Sequence, residues 1–122
     1  MSKPVLSMGP AAGPFSASLT VADGAPVRWA LYTYARDPSG TWALSGAHST
    51  GEGPTPGAVP SLRAGDVLCW TVKAVDPAAL PRSADVQASL LVDGQPVSTT
   101  EPSQVTVSPD EPVFYFYVGV RP

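Results

Sequence analysis

Val86-Gln87-Ala88-Ser89-Leu90-Leu91-Val92-Asp93-Gly94-Gln95-Pro96-Val97-Ser98-Thr99-Thr100 holds the pattern that decides the fold. Val86, Ala88, Leu90 and Val92 fall on one face of an extended chain, with Gln87 and Ser89 on the other. That period of two marks a strand with one buried side. Asp-Gly follows, the pair that tolerates the positive backbone angles of a tight hairpin turn. Val97 to Thr100 is the expected returning partner.

The same grammar runs outward in both directions. Phe15 to Val21 alternates Phe15, Ala17, Leu19 and Val21 against Ser16, Ser18 and Thr20. Ala22-Asp23-Gly24-Ala25 is a turn, and a second strand is predicted over Val27 to Arg36. Asp37-Pro38-Ser39-Gly40 reads as a turn with Pro at its second position. Thr41 to Ser49 is the expected hairpin partner. Gly51 to Pro60 is proline-stiffened loop, since Pro cannot donate to a ladder. Arg63-Ala64-Gly65-Asp66 leads into a strand over Val67 to Val75, and Asp76 to Pro81 forms a further loop with room for one helical turn. Gln104 to Ser108 is a short strand after a bulge at Pro102, and Val113 to Val120 closes the chain in the middle of a sheet. Fifteen prolines and eleven glycines punctuate the chain, and no stretch of useful length carries a helical period. The expected fold is all-β: a two-sheet antiparallel sandwich, Ig-like or jelly-roll-like, of seven to eight strands. Residues 1–13 read as an extended N-terminal arm that adds to a sheet edge of a neighbour, and residues 14–122 as the sandwich.

Composition narrows the function classes. The 122 residues suit one domain. Charged residues make up 14% of the chain, against a usual quarter or so. The net charge is -3, with two lysines and scattered arginines. That argues against a nucleic-acid partner, which needs clustered Lys and Arg. Cys69 is the single cysteine, so no intrachain disulfide forms. The N-terminal segment lacks the apolar core of a secretion signal, and no apolar run is long enough to span a membrane. A cytoplasmic location is the default expectation, with unconventional export left open. The absence of Ile and Asn beside abundant Ala, Pro, Gly and Val fits GC-rich bacterial coding.

No catalytic or metal-binding signature appears. His48 is the only imidazole, and a lone His near a strand end is more often structural than catalytic. Cys69 has no neighbour that promises an activated thiolate. Asp23, Asp37, Asp66, Asp76, Asp85, Asp93 and Asp110 sit mostly at turns, where bonding turn backbone is favoured over a loop calcium site. No cofactor, no metal and no enzymatic activity are expected.

The aromatic residues divide by phase. Phe15, Phe114, Phe116, Trp29 and Trp70 share the aliphatic faces of their strands. Tyr32 and Tyr34, Tyr115 and Tyr117 share the opposite faces, beside Arg28 and Arg36. If the two strands are neighbours, they form a Tyr/Arg cluster of the composition found at binding hot spots. Tyr is also a good strand former on a wet face, and that plain reading carries equal weight. Cys69, Thr71 and Lys73 are expected outside. Trp42 is expected to pack into the core with Leu44. The sequence thus points to a non-enzymatic module that self-associates or docks on a protein through the Tyr/Arg face. The alternative is a lectin-like carbohydrate binder using Trp42, His48 and loop polar residues.

Overall fold

The computed structural model describes residues 4–10, 12–22, 27–45, 49–59, 62–74, 82–108, 110 and 112–122. The expected turn at 22–25 from residue 23 on, the loop at 76–81 and His48 lie outside the described residues. The strands are β1 (Val5–Ser7), β2 (Phe15–Val21), β3 (Val27–Arg36), β4 (Trp42–Leu44), β5 (Ser49–Glu52), β6 (Gly57–Ala58), β7 (Val67–Ala74), β8 (Arg82–Val92), β9 (Gln95–Thr99), β10 (Ser103–Val107) and β11 (Val113–Arg121). No helix occurs among the described residues, and hence none long and apolar enough to cross a membrane.

Two sheets pack face to face. Sheet A runs β1-β11-β7-β3, with β4 and β5 sharing the outer edge of β3. Sheet B runs β10-β8-β2-β6, with β9 and β10 sharing the outer edge of β8. Every pairing is antiparallel except β1 with β11. The architecture is the expected sandwich. The eleven strands among the described residues exceed the expected seven or eight because edge strands are broken into pieces. Pro102 helps end one such piece, since a proline cannot donate. Thr100 bridges the gap: its backbone N donates to Ala88 O, and its Oγ1 accepts from Ala88 N at 3.0 Å. The expected arm also finds its place within the chain, for Val5 to Ser7 lie along Gly119 to Arg121. The strand that the sequence offered to a neighbour is therefore used in cis.

The inward phases hold the core. Trp29, Leu31, Leu68, Trp70, Val72, Val86, Ala88, Leu90, Phe116 and Val118 are buried, with Phe114 packed against their edge. Trp70 and Phe116 meet at 6.4 Å between ring centroids, tilted by 46°. Alternation drives this arrangement, because burying each large apolar side chain away from water contributes about 1.5–3 kcal/mol.

Turn chemistry sets the registers. Asp93 and Gly94 both take positive φ, 52° and 77°, the primed hairpin turn that Asp-Gly favours. In the 37–41 turn, Gly40 N donates to Asp37 O and Asp37 N to Thr41 O. The Asp37 carboxylate accepts from Ser39 Oγ at 2.6 Å and from Thr41 N at 2.9 Å. This closure places Trp42 opposite Arg36 and Leu44 opposite Tyr34.

Trp29 organises the edge beside it. Its Nε1 donates to Gly53 O at 2.9 Å. A Cβ at Gly51 would lie 2.5 Å from the indole, and one at Gly57 would lie 3.0 Å from it. Gly51→Ala should cost about 1–3 kcal/mol through overpacking and lower the melting midpoint by roughly 5–15 °C. Thermal unfolding followed by circular dichroism checks this; an unchanged midpoint would mean that the indole relocates freely.

The Asp37 carboxyl is held below its ordinary value of 3.8, first by Ser39 Oγ and then by the Thr41 amide. A carboxyl depressed in the folded state stabilises the turn above its unfolded value and loses that contribution as pH falls through the lower folded value. The Thr41 amide resonance should therefore stay fixed from neutral pH to about pH 4 and move only below it. Asp37→Asn should abolish that movement; a midpoint above the ordinary value would contradict the hydrogen-bonded turn.

Candidate functional site

The outer face of sheet A is built by register. Paired residues on neighbouring strands point to the same side. One row therefore reads Val5, Gly119, Val67, Tyr34 and Leu44 across β1, β11, β7, β3 and β4. The next row carries Tyr117, Cys69 and Tyr32, and the one after it Tyr115, Thr71, Ala30 and Thr50. Val113, Lys73, Arg28 and Glu52 form the far row. Beyond the first row lie Arg36 and Trp42.

This map corrects several expectations. β3 and β11 are not neighbours, because β7 runs between them. Of the four tyrosines only Tyr117 and Tyr32 consequently share a row, across Cys69, while Tyr115 stands opposite Ala30 across Thr71 and Tyr34 opposite Gly119 across Val67. Cys69 has the outward phase but is buried, since Tyr32 and Tyr117 flank it from either side. Arg28 stands at the opposite end of the face from Tyr34 and pairs with Glu52 at 3.2 Å. Trp42 and Leu44 are not core residues. They are 46% and 55% exposed, because pairing with Arg36 and Tyr34 obliges them to share the outward side.

The residues that do converge are Tyr34, Trp42 and Tyr117. With Val67 and Gly119 they line a depression of about 480 Å³, open to solvent. Arg36 lies over Trp42, its Cζ 5.5 Å from the ring centroid, and its Nε donates to Gly40 O. The guanidinium–indole stack is the cation–π contact expected where an arginine meets a tryptophan. Tyr34 and Tyr117 came from the expected Tyr/Arg face, and Trp42 from the alternative ligand site. The structure merges the two.

Val67 and Gly119 were not anticipated. Gly119 had a legible signal: a glycine in the outward phase of a strand otherwise filled by aromatic and aliphatic residues. A strand-interior glycine is less favourable than Ala by roughly 0.5–1 kcal/mol and marks a bulge, a bend or a close approach.

The electrostatics give no activated nucleophile. Burial pushes the Cys69 thiol above its ordinary range, and a hydrogen bond with Tyr117 offsets only part of this. The phenol of Tyr117 is pushed up as well, first by the charge Cys69 carries when ionised and then by loss of water. A thiolate is the reactive form, so both groups are held in their neutral, unreactive forms near pH 7. Among the described residues, no three His, Cys, Asp or Glu side chains converge as metal ligands do. What the arrangement offers is apolar aromatic surface, phenol and indole hydrogen-bonding groups and a guanidinium. No protein-family model, no curated protein and no solved structure matches the chain, so the reading of this site rests on its own geometry.

Proposed function

We propose that this chain is a non-enzymatic interaction module that docks through the outer face of sheet A, in the first instance on a second copy of itself. The observation that carries the reading is the contrast between the two outer faces. Sheet B presents Ser16, Thr20, Asp85, Gln87, Ser89, Gln104 and Thr106 to solvent, laced by hydroxyl contacts such as Ser83 with Thr106 and Ser89 with Thr99, and its one large exposed hydrophobic among the described residues is Val97 on β9. Sheet A presents Val5, Trp42, Leu44, Tyr115 and Tyr117, all between 44% and 59% exposed. Both faces satisfy the same fold. A wet face needs no large aromatic side chains, and contiguous exposed apolar surface on a small domain marks an interaction site.

Size sets the class of interaction. Five strands at about 4.8 Å and six residues at about 3.3 Å give roughly 20 Å by 20 Å, on the order of 400 Å². Stable complexes bury about 800 Å² on each partner. The face therefore suits weak, reversible docking. Tyr and Arg supply rigid contact area and directional donors, and the low net charge limits repulsion between copies.

Light scattering and amide NMR over a concentration series test the reading. The expected result is a mass of 12.6 kDa at low micromolar concentration that rises toward the millimolar range. Amide shifts at Tyr34, Val67, Tyr117 and Gly119 should move in step. Tyr117→Glu should hold the chain at the monomer mass. A monomer with concentration-independent shifts would remove the self-docking reading.

A further inference from the structure

Gly119 is not required by the fold. Its backbone does not adopt the left-handed conformation, and a Cβ built there meets only Val5 Cγ2 at 3.9 Å and Pro4 O at 4.0 Å, ordinary contacts. Gly51 and Gly57, by contrast, are pressed against Trp29 and have no room for a side chain. What Gly119 does is leave a bare floor between Tyr34, Trp42 and Tyr117. A side chain there would fill the depression that those residues line. Its volume of about 480 Å³ lies in the range of small-molecule sites, about 300–1,000 Å³.

The lining selects a ligand with apolar ring faces and polar edges. The aromatic walls and the Val67–Gly119 floor receive an apolar face, and the Tyr34 and Tyr117 phenols and the Trp42 indole N–H supply hydrogen bonds beside it. A sugar ring has that division: C–H groups on its faces and hydroxyls around its rim. One end of the depression is cationic. Arg36 lies over Trp42. Arg121, exposed, shares the outward phase of Gly119 two positions on. Nearby carboxylates are committed elsewhere. Asp37 accepts from Ser39 and Thr41, and Asp66 is buried and accepts from Arg63 N. Among the described residues the one ion pair, Arg28 with Glu52, lies at the far end of the face. The Asp37 carboxylate beside Arg36 keeps its charge, but it is turned to Ser39 and Thr41, and Arg36 engages only its Nε, with Gly40 O, so the terminal N–H groups of Arg36 are left for a carboxylate ligand, which a guanidinium matches best.

We propose that the hollow over Gly119 is a carbohydrate site for a pyranose bearing a carboxylate, a uronic acid residue, with its ring between Tyr34, Trp42 and Tyr117 and its acid group at Arg36. The site goes beyond the docking reading and does not rest on it.

Amide and indole NMR titration of the dilute monomer tests this, with α-1,4-linked trigalacturonate, neutral maltotriose and a polyglutamate peptide as probes. Trigalacturonate should shift the Val67, Tyr117 and Gly119 amides and the Trp42 indole resonance, and bind at least about 10-fold more tightly than maltotriose or polyglutamate. Arg36→Gln should erase most of the preference for the acid sugar. Gly119→Val should keep or raise the melting midpoint while weakening binding by about 10-fold or more. Trp42→Ala, at an exposed position, gives the same loss if Gly119→Val does not fold. Absence of these shifts, equal binding of polyglutamate or maltotriose, or undiminished binding by Gly119→Val and Trp42→Ala would overturn the proposal. Those outcomes leave the concentration dependence of the free protein untouched, so the two readings fail separately.

Discussion

The ladder of β7 between β3 and β11 is the constraint on which the rest depends. Val67 to Ala74 pairs along its length with Val27 to Tyr34 on one side and with Val113 to Gly119 on the other. Fixing one strand in the middle of a sheet fixes the sidedness of both neighbours, because paired residues share a side. Trp70 inward then requires Leu31 and Phe116 inward, and Cys69 outward requires Tyr32 and Tyr117 outward. The apolar core and the aromatic outer face are two consequences of one register. A slip by a single residue would exchange them, and the buried set of Leu68, Trp70 and Val72 is what opposes that slip.

Local alternation was enough to locate the long strands. Phe15–Val21 and Val27–Arg36 have the limits read from the sequence, and the inward phases of β3, β7, β8 and β11 are as expected. Pairing partners were not legible, because they join residues far apart in the chain and no local pattern encodes them. That is why the adjacency of β3 and β11 stays a condition at the level of sequence, and why the pairing of Val5–Ser7 with β11 is not visible there. Trp42 is a different case. Its sidedness follows from the closure of the 37–41 turn, which sets Trp42 against Arg36. Since Arg36 belongs to the outward phase of β3, Trp42 had to follow it. Hydropathy alone suggested core; the hairpin register overrides hydropathy.

The depression was harder to foresee because none of its residues is distinctive alone. It combines a tyrosine from β3, a tryptophan placed by a turn, a tyrosine and a glycine from β11 and a valine at the start of β7. Only the sheet order brings them together. The same order buries Cys69 under Tyr32 and Tyr117, so the one thiol of the chain, expected outside, serves as packing beneath the aromatic face.

The glycines separate what the fold needs from what it does not. Gly51 and Gly57 let the edge close on Trp29, and a Cβ at either would meet the indole at 3.0 Å or less. Gly94 supplies a positive φ in a hairpin turn. These residues are explained by backbone and packing. Gly119 is explained by neither, yet it lies within a paired strand, two residues before its end and beside β1, where a β-branched or aromatic side chain would be more favourable. Sequences are locally consistent with their fold except where another demand intervenes. Here the exception coincides with the floor of the concave aromatic surface in sheet A. The tyrosines alone are adequately described as strand formers on a wet face. The tyrosines together with an unforced glycine beneath them are not, and that combination is what the proposed binding surface rests on.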